Sequence, residues 1–487
     1  MALLEEVRKV RLEKIAKLRA AGMDPYPSES KKTHTATEFF GNFEGLEKNA
    51  EAVTVSGRVM AIRTHGGSLF IDIFDGTGKV QAFFKRDGMD ELVYDSFVEL
   101  VDEGDIVEVA GTPFTTKSGM QSLLASSWRM GAKSLRPMPD EWYGIKDEDE
   151  RYRKRYLDIL LASESRELFI KKAKFWQSIR NFLVGEGFLE VETPVLENTT
   201  GGADARPFAT HHHALDLDVY LRISAGELWQ KRLMVAGYPK VFEIGRIFRN
   251  EGMSAEHLQD YTQMEFYWGY ANYEDGMELV ERLYKHAALE TFGTLSFTIG
   301  AFEVDLGKPW ERYDYVETIK KFTDIDITKA SLSDIEQKLK ALSVSYSAEG
   351  WNLSRAIDTL WKYCRKQIGG PGFLVGVPKN LSPLAKSDAS REGITERFQP
   401  IIAGSELGNG YSELNDPVDQ AERFSEQAVL REGGDEEAQM YDHEFVEALE
   451  YGMPMTCGYG MSERVFAFLA NTSVREAQLF PLMRPKE

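Results

Sequence analysis

The sequence predicts an α+β protein, and three observations support this. Short alternating runs punctuated by Gly, Asp and Pro fill residues 50 to 135: "VTVSGRVMAIR", "SLFIDIFD", "GKVQAFFKR" and "DIVEVAGTPF". A joint rich in proline and charge follows, "LRPMPDEWYGIKDEDERYRKRYLD". From about residue 160 onward, helical and strand patterns are mixed at longer spacing. Four or five strands in about 90 residues fit a small Greek-key barrel of the OB type, so we predict this barrel followed by a larger mixed domain.

These patterns divide the chain into three segments. We predict an N-terminal helix and the barrel over residues 1–140, a linker over 141–160 and the larger domain over 161–487. The N-terminal stretch has an apolar stripe at helical spacing, through Leu4, Val7, Ile15 and Leu18, amid dense charge, which indicates a surface helix. A helical pattern near residues 315–345 predicts a peripheral insertion in the larger domain.

Composition narrows the class of protein. Lys and Arg number 58 and Asp and Glu number 78, a net charge of −20, which disfavours a generic nucleic-acid coat but leaves room for a local binding patch. Two distant cysteines, Cys364 and Cys457, imply no disulfide framework and a reducing compartment. No apolar run approaches the about 18 residues of a membrane span. The charged N-terminus fits neither a secretory nor a transit peptide. We therefore expect a cytoplasmic protein with no membrane or DNA partner.

Residues 240–270, "KVFEIGRIFRNEGMSAEHLQDYTQMEFYWGY", read at the period of a strand, predict a two-faced hairpin. One face is apolar; the other carries Glu243, Arg249, Glu251, Tyr261, Gln263, Glu265 and Tyr267. Arginine's planar fork bridges a phosphate and a carboxylate, and carboxylates hold an amine directly or a phosphate through Mg²⁺. The face therefore suits a ligand with both phosphate and ammonium groups. The alternative is a solvated strand face with incidental salt bridges.

The barrel contains a second unusual face. In "SLFIDIFDGTGKVQAFF" the alternation places Phe70, Phe74, Lys79, Gln81 and Phe83 on one side, opposite a run of aliphatic residues. Aromatic rings interleaved with an amide suit unpaired bases, which stack on rings and present hydrogen-bonding edges. The alternative is a two-sided core with one face covered by the N-terminal helix.

Three stretches resemble the signature motifs of class II aminoacyl-tRNA synthetases: "FLEVETPVL" (188–196), "FRNEG" (248–252) and "GYGMSERVFAFL" (458–469). Within that class, "RYRKRYLD", "GGADARPFATHHHALDLDVYLRIS", "LSPLAK", "GSELGNGYSELNDPVDQAERF" and "LFPLMRP" resemble the bacterial-type lysyl-tRNA synthetases of class IIb. The blocks occur in the expected order, and the barrel is similar to the anticodon-binding domain of that family. The resemblance implies an antiparallel-sheet catalytic domain, ATP-dependent ligation of L-lysine to tRNA with a lysine anticodon, and a homodimer formed through the first motif.

The resemblance also implies roles for individual residues. Arg249 and Arg464 match the catalytic arginines, the first contacting both the ATP α-phosphate and the carboxylate of the amino acid. The positions implied for ATP are Arg249, Glu251, His257, Tyr261, Glu406 and Arg464. Those implied for lysine are Gly202, Glu227, Arg249, Glu265, Tyr267, Asn409, Tyr411 and Glu413. Phe70 and Gln81 match positions that stack on and read the central base of the anticodon, and Glu406 matches a carboxylate that binds Mg²⁺.

The chain departs from the family pattern near the expected ATP site. Gln399 occupies the position of a second metal-binding carboxylate, which leaves the number of Mg²⁺ ions open. Glu256 stands where the family carries an arginine, and Tyr261 where it carries phenylalanine.

Two other functions are compatible with parts of this pattern. A catalytically altered paralogue would act as an RNA-binding or signalling protein, but Arg249, Glu251 and Arg464 are intact. An enzyme that modifies a protein lysine would lack the anticodon barrel, which this sequence predicts.

Overall fold

The computed structural model describes residues 2–139, 145–203, 205–250, 252, 258–346, 351–433 and 438–486. The chain forms two compact units, Met1–Lys146 and Asp147–Glu487. In the described part of the chain, no helix is both long and apolar enough to cross a membrane.

The first unit is a five-stranded closed barrel with four helices. Its helices are α1 (Ala2–Ala20), α2 (Ala36–Gly41), α3 (Phe43–Lys48) and α4 (Glu91–Leu100), with a 3₁₀ turn at Arg86–Gly88. Its strands are β1 (Val53–His65), β2 (Ser68–Phe74), β3 (Lys79–Lys85), β4 (Ile106–Thr115) and β5 (Gln121–Ala132). They close in the order β1-β2-β3-β5-β4, with β3 and β5 parallel. The prediction of a small OB-type barrel is confirmed.

Strand alternation builds the core of this barrel. Every second residue of β2 and β3 is buried: Leu69, Ile71 and Ile73, and Val80, Ala82 and Phe84. Helix α1 also contributes to this unit, with Ile15 and Leu18 buried. Its charged side chains pair with the end of α4 and the following turn, as in the Lys14–Asp102 ion pair of 2.7 Å.

In its described residues, the second unit combines helices with three β-sheets. Its helices are α5 (Glu148–Arg153), α6 (Arg155–Leu161), α7 (Ser163–Gly185), α8 (Glu227–Val235), α9 (Tyr273–Phe292), α10 (Tyr315–Thr323), α11 (Leu332–Ala341), α12 (Leu353–Arg365), α13 (Pro417–Glu432), α14 (His443–Glu450) and α15 (Arg464–Leu469), with a 3₁₀ turn at Lys379–Leu381. Its strands are β6 (Leu189–Glu190), β7 (Leu196–Glu197), β8 (Ala209–His212), β9 (Leu217–Leu221), β10 (Lys240–Phe248), β11 (Asp260–Gly269), β12 (Ser296–Ile299), β13 (Phe302–Asp305), β14 (Glu311–Asp314), β15 (Gly372–Val375), β16 (Arg397–Ile402), β17 (Ser405–Glu406), β18 (Asn409–Ser412) and β19 (Thr456–Ser462).

The main sheet of this unit is largely antiparallel and has the order β14-β15-β16-β18-β19-β11-β10-β6. The predicted hairpin forms its β10–β11 pair, in which Phe242 lies opposite Phe266 and Glu243 opposite Glu265. Because side chains alternate along a strand, the even-numbered Phe242 and Phe266 pack with α7 and α9, whereas the odd-numbered Tyr267 packs with α8, α13 and α14. The polar face of the hairpin is therefore turned toward α8.

Two segments differ from the sequence expectation. The predicted linker, 141–160, is shorter than expected, since the second unit begins at Asp147 and includes α5 and α6. Charged residues of the predicted linker form ion pairs inside the second unit. The buried Arg155, for example, lies 2.8 Å from both Asp158 and Glu476. The predicted helical insertion near 315–345 extends to Arg365, because α12 packs with α10 and α11 around a common apolar cluster.

Candidate active site

Two adjoining cavities open on the polar face of the main sheet. The first, about 300 Å³, is lined by the three carboxylates Glu227, Glu265 and Glu413 and by the rings of Tyr267 and Tyr411. The second, about 270 Å³, is lined by Tyr261, Gln399, Glu406 and Arg464.

Arg249 lines both cavities, together with Gln263, Asn409 and Gly460. Its Nε donates to the carbonyl of Ile223 at 3.3 Å, and its guanidinium lies 5.9 Å from the centre of the Tyr261 ring. A guanidinium carries donors on several edges, so this position lets one side chain contact a group in each cavity. The wall shared by the two cavities is therefore positively charged.

The carboxylate end of the first cavity is a dense network of polar contacts. Lys231 Nζ lies 2.8 Å from Glu227 Oε1 and 2.5 Å from Glu413 Oε2. The Tyr411 hydroxyl also donates to Glu227 Oε1. Oε2 of Glu413 is occupied by Lys231, whereas Oε1 has no hydrogen-bond partner among the described residues and is available to a ligand.

Glu265 lies on the same wall and is fully buried. Its Oε1 accepts from the Ala225 N–H at 2.8 Å and from Gln263 Nε2 at 2.7 Å, and the Tyr267 hydroxyl donates to Oε2 at 3.2 Å. Burial, reinforced by the charge of Glu227, raises the pKa of Glu265 to about 8, even though these donors favour the ionised form. This shift shows how strongly burial at this end of the cavity disfavours the charged form of a carboxyl group.

The floor of the first cavity is backbone, because β19 passes beneath it with Gly458 and Gly460. A Cβ on Gly458 would stand 2.0 Å from Glu413 Oε1, and one on Gly460 would stand 3.1 Å from Glu265 Cγ. Both glycines therefore provide the space in which these carboxylates lie.

In the second cavity, Glu406 is positioned by the helical insertion. Trp361 of α12 donates its indole N–H to Glu406 Oε1 at 2.5 Å, and Arg365 Nη1 lies 3.9 Å from Oε2. Glu406 belongs to β17, and the chain leaves the sheet before β18 begins at Asn409. This interruption lets Glu406 face the second cavity while Asn409, Tyr411 and Glu413 line the first.

The structure brings most of the sequence-predicted residues together. All eight positions implied for lysine line the first cavity: Gly202, Glu227, Arg249, Glu265, Tyr267, Asn409, Tyr411 and Glu413. Of the positions implied for ATP, the second cavity contains Arg249, Tyr261, Glu406 and Arg464. Glu251 and His257, like Glu256, lie outside the described residues.

One residue of the predicted polar face has another use. Glu243 points to the expected side of the hairpin, but it pairs with Arg222 and accepts from Thr193 Oγ1 at 2.6 Å. Its carboxylate therefore holds neighbouring segments together and is absent from the lining of both cavities.

Sequence reasoning also missed residues that support the site. Arg397 donates to Asn409 Oδ1 at 2.7 Å, and since a guanidinium has no acceptor, the amide NH₂ of Asn409 is directed elsewhere. The sequence gives little indication of this role for Arg397, because its partner Asn409 lies on a neighbouring strand. Lys231 had a visible signal, one helical turn after Glu227.

The aromatic face of the barrel is half-exposed. Phe70 lies opposite Phe83 in the β2–β3 pair, and their rings stack with centroids 4.5 Å apart and planes inclined by 23°. The Phe114 ring follows at 5.8 Å from that of Phe83. Beside them, Gln81 accepts from Ser122 Oγ at 3.1 Å through its carbonyl oxygen, so its NH₂ group remains directed away from that contact. These residues lie outside the buried apolar cluster of the barrel, unlike the alternating residues of the same strands.

Comparison with known families agrees with this geometry. The family described as tRNA synthetases class II (D, K and N) matches residues 147–484. The chain belongs to this family of class II synthetases. The first unit of this synthetase matches the OB-fold nucleic acid binding domain over residues 53–130.

Relatives of this class II synthetase are similar over their whole length. A lysine–tRNA ligase of Thermosipho africanus is 42% identical over 491 aligned residues, covering 99% of this chain and 97% of the relative. That of Pelotomaculum thermopropionicum is also 42% identical, covering 99% and 96%. That of Roseiflexus castenholzii is 41% identical, covering 99% and 100%.

Proposed function

We propose that this class II synthetase is a lysine–tRNA ligase. It activates L-lysine with ATP to lysyl-adenylate, and it transfers the lysyl group to the 3′-terminal adenosine of tRNA with a lysine anticodon. The observation that carries the proposal is the pair of cavities that meet at Arg249, one rich in carboxylates and the other lined by Arg464 and Tyr261.

The carboxylate end of the first cavity supports lysine as the amino acid. The carboxyl groups of Glu227, Glu265 and Glu413 line this end, and the resident ammonium of Lys231 contacts Glu227 and Glu413, so a ligand that brings further ammonium groups would find carboxylate partners here. Lysine brings two ammonium groups, on Cα and at the end of its side chain. The rings of Tyr267 and Tyr411 offer apolar surface for the intervening methylenes. Aspartate or asparagine would need donors or a cation at this end instead.

The position of Arg249 between the two cavities supports a reaction between lysine and ATP at the wall that the cavities share. A lysine bound with its ammonium groups among the carboxylates would direct its own carboxylate toward the shared wall. A carboxylate oxygen then attacks the α-phosphorus of ATP in line, and the bond from phosphorus to the bridging oxygen of the diphosphate breaks. The Arg249 guanidinium neutralises the charge that develops there, which is a preorganised electrostatic contribution. In the second step a ribose hydroxyl of the terminal adenosine attacks the lysyl carbonyl, and AMP leaves.

The second cavity fits the remainder of ATP. Tyr261 offers a ring face to the adenine, and Arg464, which starts α15 and donates to Ser405 Oγ at 3.3 Å, offers a cation to the outer phosphates. Glu251 and His257 belong to the same proposal by resemblance.

Mg²⁺ is the proposed metal, and Glu406 with the amide oxygen of Gln399 would hold it. Within the described residues, no group of three His, Cys, Asp or Glu side chains is arranged to hold a metal ion. The pair still fits, because Mg²⁺ binds through one or two protein oxygens together with waters and substrate phosphates. When bound, the ion would neutralise phosphate charge.

The barrel supplies the proposed contact with tRNA. Phe70 offers a stacking surface and Gln81 a polar group for an unpaired base of the anticodon, the mode by which proteins read single-stranded RNA. We further propose a cytoplasmic homodimer that associates through residues 188–196, the segment that resembles the first class II motif.

Lysine-dependent exchange of diphosphate with ATP tests the function directly. We expect exchange with lysine in the absence of tRNA, little with aspartate or asparagine, and charging of lysine tRNA when tRNA is added. An altered paralogue would bind RNA without exchange, and an enzyme that modifies protein lysines would show exchange without charging. Either result would contradict the proposal.

A further inference from the structure

Lys231 stands behind the carboxylate wall of the first cavity. It lies on α8 one turn after Glu227, its side chain is 1% exposed, and it is outside the set of residues that line the cavity. Its ammonium nevertheless contacts Glu227 at 2.8 Å and Glu413 at 2.5 Å, and both of these residues do line the cavity. Lys231 therefore acts on the cavity through its two partners.

Three aromatic rings also lie near the Lys231 ammonium. The ring centres of Tyr411, Phe445 and Tyr267 lie 5.4, 5.8 and 6.0 Å from Nζ. The electron-rich faces of such rings favour a cation. Beyond them, Glu265 accepts from the Tyr267 hydroxyl, and Arg232, the next residue of α8, pairs with Asp442 at 2.9 Å.

Two arginines also line this cavity, but they have other contacts. Arg249 stands at the wall shared with the second cavity, and Arg397 donates to Asn409 and to the carbonyl of Leu381 at 2.6 Å. Lys231 is the cation in direct contact with the Glu227–Glu413 pair.

A cation at this position opposes the protonation of Glu413. Buried carboxylates that lie close together resist simultaneous ionisation, so one of them takes up a proton unless a cation is present. Burial raises the pKa of Glu413 well above its usual range, and the Lys231 ammonium opposes this rise. Burial lowers the pKa of Lys231 itself, but Glu227 and Glu413 outweigh it, so its pKa is raised and the ammonium stays charged.

We propose that Lys231 is a positioning residue for substrate recognition, a resident ammonium whose ion pairs orient Glu227 and Glu413 and favour the charged form of the Glu413 carboxyl before the substrate arrives. A protonated carboxyl group forms no ion pair with the side-chain ammonium of lysine, so the resident charge extends lysine binding to lower pH. The inference rests on the proposed function, because the affected ligand is the amino acid.

The test is the pH dependence of diphosphate exchange in Lys231→Met, which keeps an unbranched buried chain and removes the charge. Without the ammonium, three carboxylates would face the two ammonium groups of lysine, and one carboxyl would keep its proton. We expect the acid limb of the pH profile of kcat/KM for lysine to move to higher pH by at least about one unit. At a pH on that limb, kcat/KM then falls about tenfold. With saturating lysine above the limb, kcat should stay within about twofold of the unmodified enzyme.

Two further variants separate charge balance from folding. Arg232→Met removes the neighbouring cation of α8, which faces Asp442, and should leave the acid limb in place. The double variant Lys231→Met with Glu413→Gln restores the balance of charge, so its acid limb should return to the original pH or below, although lysine binds more weakly. It also keeps the test available if the single variant fails to fold.

An unshifted acid limb in Lys231→Met, or a limb that stays shifted in the double variant, would overturn this role. Failure of the proposed function gives a different result, the loss of lysine-dependent exchange in the unmodified enzyme.

Discussion

Replacing Phe70 with alanine distinguishes a base-binding face from a merely structural one. The Phe70 ring is half-buried and stacks on Phe83 at 4.5 Å, so its removal costs the barrel an aromatic pair worth about 0.5–1.5 kcal/mol beyond the lost apolar area. If a base of the anticodon stacks on the exposed side of the ring, the variant also loses about 1–3 kcal/mol of binding. That loss corresponds to a decrease of about 5- to 150-fold in the use of tRNA.

Three measurements on Phe70→Ala are needed: the melting curve, diphosphate exchange without tRNA, and charging as a function of tRNA concentration. We expect a modest fall in melting temperature, unchanged exchange and a large fall in kcat/KM for tRNA. Phe40→Ala is the matched control, because Phe40 is another partly exposed ring of the first unit, 39% exposed and 5.2 Å from Phe39, and it lies on α2, outside the stack of Phe70, Phe83 and Phe114. It should leave charging unchanged.

Either of two outcomes would refute the anticodon assignment. The first is charging by Phe70→Ala that equals the unmodified enzyme under conditions where both are folded. The second is a loss of charging that follows unfolding in parallel, which would make Phe70 a structural residue only.

Three further predictions concern the two cavities. Arg249→Ala should slow adenylate formation by about 10²–10³, the cost of losing one preorganised donor, and near-normal exchange would contradict the mechanism. Gln399→Glu should lower the Mg²⁺ concentration for half-maximal exchange, since a carboxylate attracts Mg²⁺ more strongly than an amide; an equal or higher requirement would oppose this assignment. Trp361→Phe keeps an aromatic, although smaller, side chain and removes the N–H that orients Glu406, so the Mg²⁺ requirement should rise by about tenfold or more, and an unchanged titration would argue that this hydrogen bond is incidental.

Features that depend on strand alternation could be predicted from the sequence. The hairpin of β10 and β11 has the two faces that its period of two requires, and the same period separates the buried Leu69 and Ile71 from the half-exposed Phe70. The same period relates Asn409, Tyr411 and Glu413, which are two residues apart and line the same cavity. In each case the information lies within a few consecutive residues.

Features that depend on distant partners could not be predicted in this way. The sequence suggests that Glu243 faces a ligand, but its partner Arg222 directly follows β9 and lies outside the hairpin, 21 residues before Glu243. The i and i+4 spacing of Glu227 and Lys231 is visible, yet Glu413 joins them only through the packing of the sheet against α8. Likewise, the hydrogen bond from Trp361 to Glu406 forms only when the helical insertion packs against the main sheet.

The floor of the first cavity, which is formed by the backbone of β19, has a consequence for inherited variation. Gly458 and Gly460 carry no functional group, yet the addition of a single methyl group at Gly458 would displace Glu413 or the Tyr267 ring, whose Cε1 would lie 2.6 Å from the new carbon. A chain altered there can keep its strand pairing and still exclude its substrate. A survey of naturally occurring or random substitutions should therefore find β19 as intolerant as the charged residues above it, at positions that an inspection of side-chain chemistry alone would pass over.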